Sequence, residues 1–131
     1  MISKTDLSKL AKARIRDAEM LYKSKRYDGA AYICGYAIEL GLKRRICRTL
    51  KWDGFPSTTR EFDNYRSFKT HKFDVLLSMT GIEEKVKTDF LTEWSAVAVW
   101  DPEVRYKPIG SMSKAEVELM IESAKKLLSV L

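Results

Sequence analysis

Apolar side chains recur at every third or fourth position along most of this chain, and no segment alternates strictly between apolar and polar residues. That spacing places apolar side chains on one face of a helix, whereas a half-buried strand requires every second residue to be apolar. The clearest stripe follows a capping box that opens at Ser113, and it consists of Val117, Met120, Ile121, Ala124, Leu127, Leu128 and Leu131. The pattern predicts an all-α protein, an up-and-down antiparallel helical bundle of four main helices plus one short helix.

Capping residues and small side chains predict how the first two helices begin and pack. We expect the first helix over about residues 6–24, with Thr5 or Asp6 as its cap, and the second helix to begin at a cap on Asp28. Small residues recur along the second helix with helical spacing, at Ala30, Cys34, Ala37 and Gly41. Such a face lets another helix approach closely, so we expect the first two helices to form a tight antiparallel hairpin.

Two further helices are predicted before the last one. Thr70 caps a short helix that ends near Gly81, a residue suited to the left-handed conformation that terminates helices. A longer helix begins near Glu83 and ends at the Asp101-Pro102 pair, because a proline disfavours helical backbone in the residue before it. Its apolar face consists of Ile82, Val86, Phe90, Trp94 and Val97.

The segment from about residue 52 to residue 69 lacks helical periodicity and combines turn-forming residues with five aromatic residues, Trp52, Phe55, Phe62, Tyr65 and Phe68. Long irregular loops are uncommon in compact domains and are usually functional or disordered, while a high aromatic content argues against disorder. We expect the rings to pack the loop onto the bundle, with contact to a partner as the alternative. A chain of 131 residues suits one core, so we expect a single domain over residues 1–131.

Charge and targeting signals narrow the classes of function. Residues 1–51 carry a net charge of +8 and residues 52–131 a net charge of −2. A basic half is expected of a protein that approaches phosphates, an acidic protein or an anionic membrane face, although solubility alone also explains it. No apolar run is long enough to cross a bilayer and no signal-peptide core is present, so we expect a cytoplasmic protein with no membrane partner.

Cys34 and Cys47 lie far apart along one predicted helix, too far to form a disulfide with each other. We therefore expect both to be reduced thiols.

The densest group of cations lies near the end of the second predicted helix and consists of Lys43, Arg44, Arg45, Arg48 and Lys51. Arg44, Arg48 and Lys51 share one helix face, and a row of this kind is suited to follow a phosphate backbone. The alternative is a solvated helix end whose cations complement the helix dipole.

Glu39 lies within an apolar run, where a buried carboxylate requires a partner. Lys43 is the nearest candidate, and Arg105 is a second one that would pair through two hydrogen bonds.

Two cysteines and one histidine do not suffice for a tetrahedral zinc site, and no glycine-rich phosphate loop is present. We therefore expect neither a metal nor a cofactor.

Five short motifs occur in an order that resembles a HEPN domain, the small helical bundle named for higher-eukaryote and prokaryote nucleotide binding. The motifs lie at residues 18–22, 27–28, 30–43, 70–73 and 104–108. The resemblance implies a homodimer that acts on or near RNA or nucleotides. It also implies partnership with a nucleotidyltransferase, or a place beside an antitoxin in a toxin–antitoxin or defence system. Arg105 and Tyr106 resemble an element of the nucleotidyltransferase-associated members, which places them at a ligand cleft.

Other members of that family are metal-independent ribonucleases, in which an arginine and a histidine four to six residues apart meet their counterparts across a dimer cleft. Arg66 and His71, the single histidine, meet this spacing. The alternative hypothesis is therefore a metal-independent endoribonuclease, with His71 as base or acid on the ribose 2′-hydroxyl and the leaving oxygen, and Arg66 stabilising the charged phosphorane. A simpler interpretation is that His71 only packs at a helix start. A third hypothesis is a protein-interaction scaffold that binds through the aromatic loop.

Overall fold

The computed structural model describes the whole chain, residues 1–131, and its first two helices are α1 (Lys4–Lys23) and α2 (Tyr27–Leu50). Ser3 caps α1, because its hydroxyl oxygen accepts a hydrogen bond from the backbone N–H of Asp6 at 3.0 Å. The predicted caps Thr5 and Asp6 lie inside the helix instead. Ser3 takes this role because its backbone is extended, as an N-cap requires.

Asp28 was expected to cap α2, and it lies within the first helical turn instead. Its carboxylate accepts hydrogen bonds from the backbone N–H groups of Gly110 and Met112, at 2.7 and 3.0 Å. These donors hold the pKa of Asp28 below its usual value. Asp28 therefore anchors the loop that precedes the last helix.

The small-residue face of α2 packs against the last helix, α7 (Lys114–Val130), and not only within the α1–α2 hairpin. The α1–α2 contact is the most extensive in the protein, so the predicted hairpin is present. However, the Cys34 thiol lies 3.8 Å from the carbonyl oxygen of Met120, and a Cβ on Gly41 would meet Leu128 Cδ2 at 2.5 Å. The small residues of α2 therefore allow α7 to pack closely against it.

The segment predicted to be irregular contains three short elements. Strand β2 (Gly54–Phe55) pairs antiparallel with β1 (Ile2–Ser3), and it is followed by α3 (Thr59–Phe62) and a 3-10 helix (Arg66–Phe68). The expectation that no strand occurs is thus wrong for four residues. A two-residue ladder is too short to show the alternation that identifies strands in a sequence.

Aromatic packing orders this segment, as expected from its composition. Phe55 is fully buried, and the ring centroid of Trp52 lies 5.0 Å from those of both Tyr65 and Phe68. Phe62 packs against Phe55 at 6.2 Å between centroids. The rings thus form a small cluster that joins the segment to the helical core.

The predicted short helix is α4 (Phe73–Met79). Thr70 lies three residues before it and its hydroxyl accepts from the Lys72 N–H at 3.1 Å, so Thr70 organises the approach to the helix without capping it. Gly81 follows with a φ of +77°, which confirms the left-handed residue predicted there.

The predicted longer helix is divided into α5 (Glu83–Asp89) and α6 (Leu91–Val97) by non-helical backbone at Phe90. Apolar periodicity indicates which face of a segment is buried. The buried face continues from α5 into α6, so the sequence pattern did not reveal the break between them. Helix α6 ends at Val97, and Pro102 opens a second 3-10 helix (Pro102–Tyr106).

The predicted start of α7 at Ser113 is confirmed, since its hydroxyl oxygen accepts from the Glu116 N–H at 3.1 Å, while the Glu116 carboxylate accepts from that hydroxyl and not from the backbone N–H of a full capping box. Around these helices a single cluster of 26 buried residues forms the core. Cys34 and Cys47 are free thiols within it, and burial raises the pKa of Cys34 to about 12. No helix combines the length and apolar character needed to span a membrane. The all-α fold class is therefore confirmed, with the third of the four predicted main helices divided into α5 and α6.

Candidate functional site

Two faces of α2 carry the polar residues of interest. Tyr36, Glu39 and Lys43 follow one another at spacings of three and four, so they share one face. Arg44, Arg48 and Lys51 form a second row, rotated from the first by roughly 100°, the angle between successive helix residues. We call Arg44, Arg45, Arg48 and Lys51 the basic cluster.

Glu39 is 3 % exposed and forms the centre of the first face. One of its carboxylate oxygens lies 3.3 Å from the Lys43 Nζ and also contacts the Nδ1 of His71. The predicted pairing with Lys43 is confirmed. Because a buried carboxylate is costly unless it is paired, these two contacts explain how an acid is tolerated in the core.

His71 connects this buried pair to solvent, since its side chain is 59 % exposed. With Nδ1 on Glu39, the other ring nitrogen, Nε2, makes no hydrogen bond within the protein. His71 borders a cleft of about 310 Å³, together with Tyr36, Lys72, Asp101, Glu103 and Arg105. The geometry is that of an imidazole oriented by a carboxylate, a pairing that suits proton transfer.

Arg105 lies at the opposite side of this cleft and does not reach Glu39. Its guanidinium carbon stands 4.7 Å from the ring centroid of Tyr106, and Nη1 donates to the carbonyl oxygen of Pro102 at 3.3 Å. Interaction with Tyr106 raises the pKa of Arg105. The expected Arg105–Glu39 pair is therefore wrong, because Arg105 contacts Pro102 and Tyr106 instead. Arg105 and Tyr106 form an exposed stacked pair at the rim.

Tyr36 is a cleft residue that the sequence analysis missed. Its hydroxyl lies 3.4 Å from that of Tyr32, and this hydrogen bond together with burial raises the pKa of Tyr36 to about 12. Its ring also packs edge-on against Trp100 at 4.9 Å between centroids. The available signal was its position three residues before Glu39 on the same helix face.

The basic cluster has no acidic partner. Arg44 donates from Nη1 to the carbonyl oxygen of Leu131 at 3.3 Å, and Arg48 and Lys51 are exposed. Arg45 is half-buried, and its Nε is buried without a hydrogen-bond partner. Burial and the charges of Arg48 and Arg44 lower the pKa of Arg45. Neighbouring cations that repel one another and form no ion pair with an acidic side chain create a positive surface.

Arg66 lies on the 3-10 helix Arg66–Phe68, where it is exposed and makes no side-chain hydrogen bond or ion pair. It does not line the cleft beside His71. The structure thus joins His71 to Glu39 and Lys43, while the proposed Arg66–His71 pairing across a dimer stays a prediction.

No group of three or more histidine, cysteine, aspartate or glutamate side chains is placed to hold a metal ion. Comparison of the chain with protein-family models, curated proteins and solved structures yields no match. The HEPN resemblance therefore stays a prediction that rests on the motifs themselves.

Proposed function

We propose that this chain is a cytoplasmic HEPN-like module that binds RNA or nucleotides, beside a nucleotidyltransferase or as part of a toxin–antitoxin or defence system. The observation that carries the proposal is the basic cluster, four neighbouring cations without an acidic partner. The motifs that resemble the HEPN family support it further, and the free thiols Cys34 and Cys47 suit a reducing compartment.

Some cations elsewhere in this protein are neutralised by ion pairs. Lys125 lies 3.0 Å from Glu19, and Lys126 lies 3.7 Å from Glu93. In contrast, Arg45 is crowded by Arg44 and Arg48 and partly withdrawn from water. A phosphate backbone would relieve this repulsion, and the release of its counterions would make the affinity depend on salt.

Removing three cations of the basic cluster should weaken RNA binding. For the triple variant Arg45→Ala, Arg48→Ala and Lys51→Ala we expect an affinity for a short single-stranded RNA that is lower by roughly 10- to 100-fold at physiological ionic strength. The slope of log affinity against log salt should also fall by about 2, since each phosphate contact on a single strand contributes about 0.7. Fluorescence anisotropy across a salt series measures both.

A matched control removes the same charge elsewhere. Lys9, Lys12 and Arg16 are exposed on α1 and form no ion pair, so their triple alanine variant should retain most of the affinity. Equal losses in the two variants would mean that net charge alone binds RNA. RNA affinity that is absent, or that ignores salt, would favour the protein-interaction scaffold.

A metal-independent endoribonuclease is a second candidate, favoured by the contact between Glu39 and His71. In this reaction His71 removes the proton of a ribose 2′-hydroxyl and the 2′-oxygen attacks the adjacent phosphorus, forming a 2′,3′-cyclic phosphate. The bond to the 5′-oxygen breaks, and that oxygen leaves as a hydroxyl by taking a proton from water. A cation such as Arg66 would stabilise the charge that develops on phosphorus.

Under this second candidate, labelled RNA should be cleaved in the presence of EDTA. His71→Ala should lower the rate by about 100-fold or more, the usual contribution of general acid–base catalysis. Glu39→Gln should lower kcat more than it raises KM, because Glu39 orients the imidazole without touching RNA. Arg66→Ala tests the predicted pair directly. Cleavage that survives in His71→Ala, or that requires a divalent metal, would contradict the assignment.

The family resemblance and the ribonuclease candidate both require a homodimer, and we propose that one forms. An apolar groove of about 360 Å³ supports this proposal, with exposed Val99 and Leu119 among its lining residues. Lys107 and Glu116 also line this groove and carry opposite charges, which allows one surface to be complementary to itself about a two-fold axis. Sedimentation velocity that shows only monomers at high concentration would contradict it.

A further inference from the structure

A second cleft, of about 480 Å³, begins where the basic cluster ends. Lys51 belongs to the basic cluster and also lines this cleft, together with Trp52, Asp53, Glu61 and Tyr65. Lys51 ends α2 in the left-handed conformation, with a φ of 57°, and the chain passes directly into Trp52. A phosphate-binding cation and an aromatic wall are therefore neighbours held by backbone geometry.

The aromatic wall is both ordered and accessible. Tyr65 is 43 % exposed, and its ring packs edge-on against the half-buried Trp52 at 5.0 Å between centroids. Phe68 packs against both Trp52 and Tyr65, at 5.0 and 6.2 Å between centroids, while Phe55 and Phe62 form the buried part of the cluster. Because the buried rings anchor the segment, Tyr65 presents an aromatic surface that is not needed for the core.

The cleft combines a cation with carboxylates, the two kinds of charge that phosphates and base amino groups bind. Lys51 is a cation in its lining and Arg48 lies three residues before it on α2, whereas Asp53 and Glu61 are carboxylates among its lining residues. Glu61 is already engaged by the Met1 amino group at 2.7 Å and by the Ser57 N–H, and these contacts lower its pKa. The Asp53 carboxylate makes no hydrogen bond within the protein. Carboxylates repel phosphate, but they accept hydrogen bonds from the amino groups of bases.

We propose that this cleft receives one unpaired base of single-stranded RNA. The base stacks on Tyr65 beside Trp52, its amino group donates to Asp53, and the adjoining phosphates lie on Lys51 and Arg48. This inference rests on the proposed function, because the same basic cluster holds the backbone. Double-stranded RNA keeps its bases stacked and paired inside the helix, so it cannot fill the cleft.

The experiment compares one RNA strand with its duplex and adds three substitutions at Tyr65. Wild type should bind the single strand more tightly than the duplex. Tyr65→Ala should lower single-strand affinity by roughly 5- to 150-fold, the usual effect of removing a stacking ring. Tyr65→Phe should retain the affinity, because the Tyr65 hydroxyl makes no hydrogen bond. Tyr65→Leu keeps an apolar side chain without an aromatic face, and its RNA affinity should be as low as that of Tyr65→Ala. This variant distinguishes a loss of affinity due to lost stacking from one due to impaired folding.

Tryptophan fluorescence provides a second measurement of binding at this cleft. Trp94 and Trp100 are each 5 % exposed, so quenching of tryptophan fluorescence by the RNA should report Trp52 and disappear in Trp52→Phe. The dependence of affinity on salt should be unchanged in Tyr65→Ala, because the phosphate contacts remain.

The outcomes separate this inference from the function on which it rests. Loss of affinity in the basic-cluster variant with full affinity in Tyr65→Ala would overturn the stacking site and leave RNA binding intact. Equal affinity for duplex and single strand, or full affinity in Tyr65→Leu, would also overturn it. A wild-type protein that binds no RNA would overturn both.

Discussion

A Gly35→Ala variant should unfold well below the melting temperature of the wild type. Gly35 lies within α2, and a Cβ at this position would overlap the indole atoms Cδ2, Cε2 and Nε1 of Trp100. Packing holds Trp100 in place, since it is buried, stacked on Phe73 at 5.1 Å between centroids and in edge-on contact with Tyr36. Overpacking of this severity costs about 3 kcal/mol or more, while alanine regains about 1 kcal/mol of helix propensity.

The net loss of about 2 kcal/mol or more should lower Tm by roughly 6 °C or more for a chain of this size. Differential scanning calorimetry measures it, and Gly29→Ala is the matched control on the same helix. There a Cβ would lie 3.7 Å from Leu21 Cδ1, an ordinary contact, so Gly29→Ala should leave stability unchanged or raise it slightly. If Gly35→Ala matched that control, Trp100 would not be packed against α2 as described.

Apolar spacing was sufficient to predict the all-α class because burial of one helix face leaves a mark on every turn. The same spacing did not predict the break at Phe90, since Val86 and Trp94 are buried on either side of that residue. Apolar spacing also did not predict the pairing of Ile2–Ser3 with Gly54–Phe55. Features that depend on two or three backbone dihedrals leave no periodic pattern to detect.

Site residues were predictable where a single side chain conflicted with its surroundings. A carboxylate in an apolar run indicated that Glu39 required a partner, and Lys43 at four residues was the correct one. The contact of Glu39 with His71 spans 32 positions in the chain. Such a contact follows from where α4 packs against α2, and no local pattern encodes that packing.

Arg66 and His71 match a spacing motif in the sequence, but no contact joins them in the structure. They lie five positions apart in the chain, but α4 begins only at Phe73 and Arg66 belongs to a separate 3-10 helix, so no common helix orients them. A spacing motif carries geometric meaning only when both residues share one regular element. Arg44, Arg45 and Arg48 do share one, which is why that part of the row was predictable, whereas Lys51 follows the end of α2 in the left-handed conformation.

Glu39→Ala should be among the most destabilising substitutions of a polar residue in this protein. The variant leaves Lys43 without its carboxylate, although Lys43 is only 18 % exposed and its Nζ lies 5.2 Å from the ring centroid of Phe55. Removing one member of a buried pair costs about 3 kcal/mol, because the remaining charge is left uncompensated. Urea unfolding should show a midpoint shift at an unchanged m-value.

A double substitution tests whether the cost arises from the stranded charge or from lost packing. Glu39→Met should destabilise the protein nearly as much as Glu39→Ala, since it fills the space but still strands Lys43. Adding Lys43→Met should recover most of the loss, because apolar side chains of similar volume replace buried ion pairs at little cost. Failure of the double variant to recover would mean that His71, and not Lys43, is the partner on which Glu39 depends, and a Glu39→Met, His71→Leu variant would then recover instead.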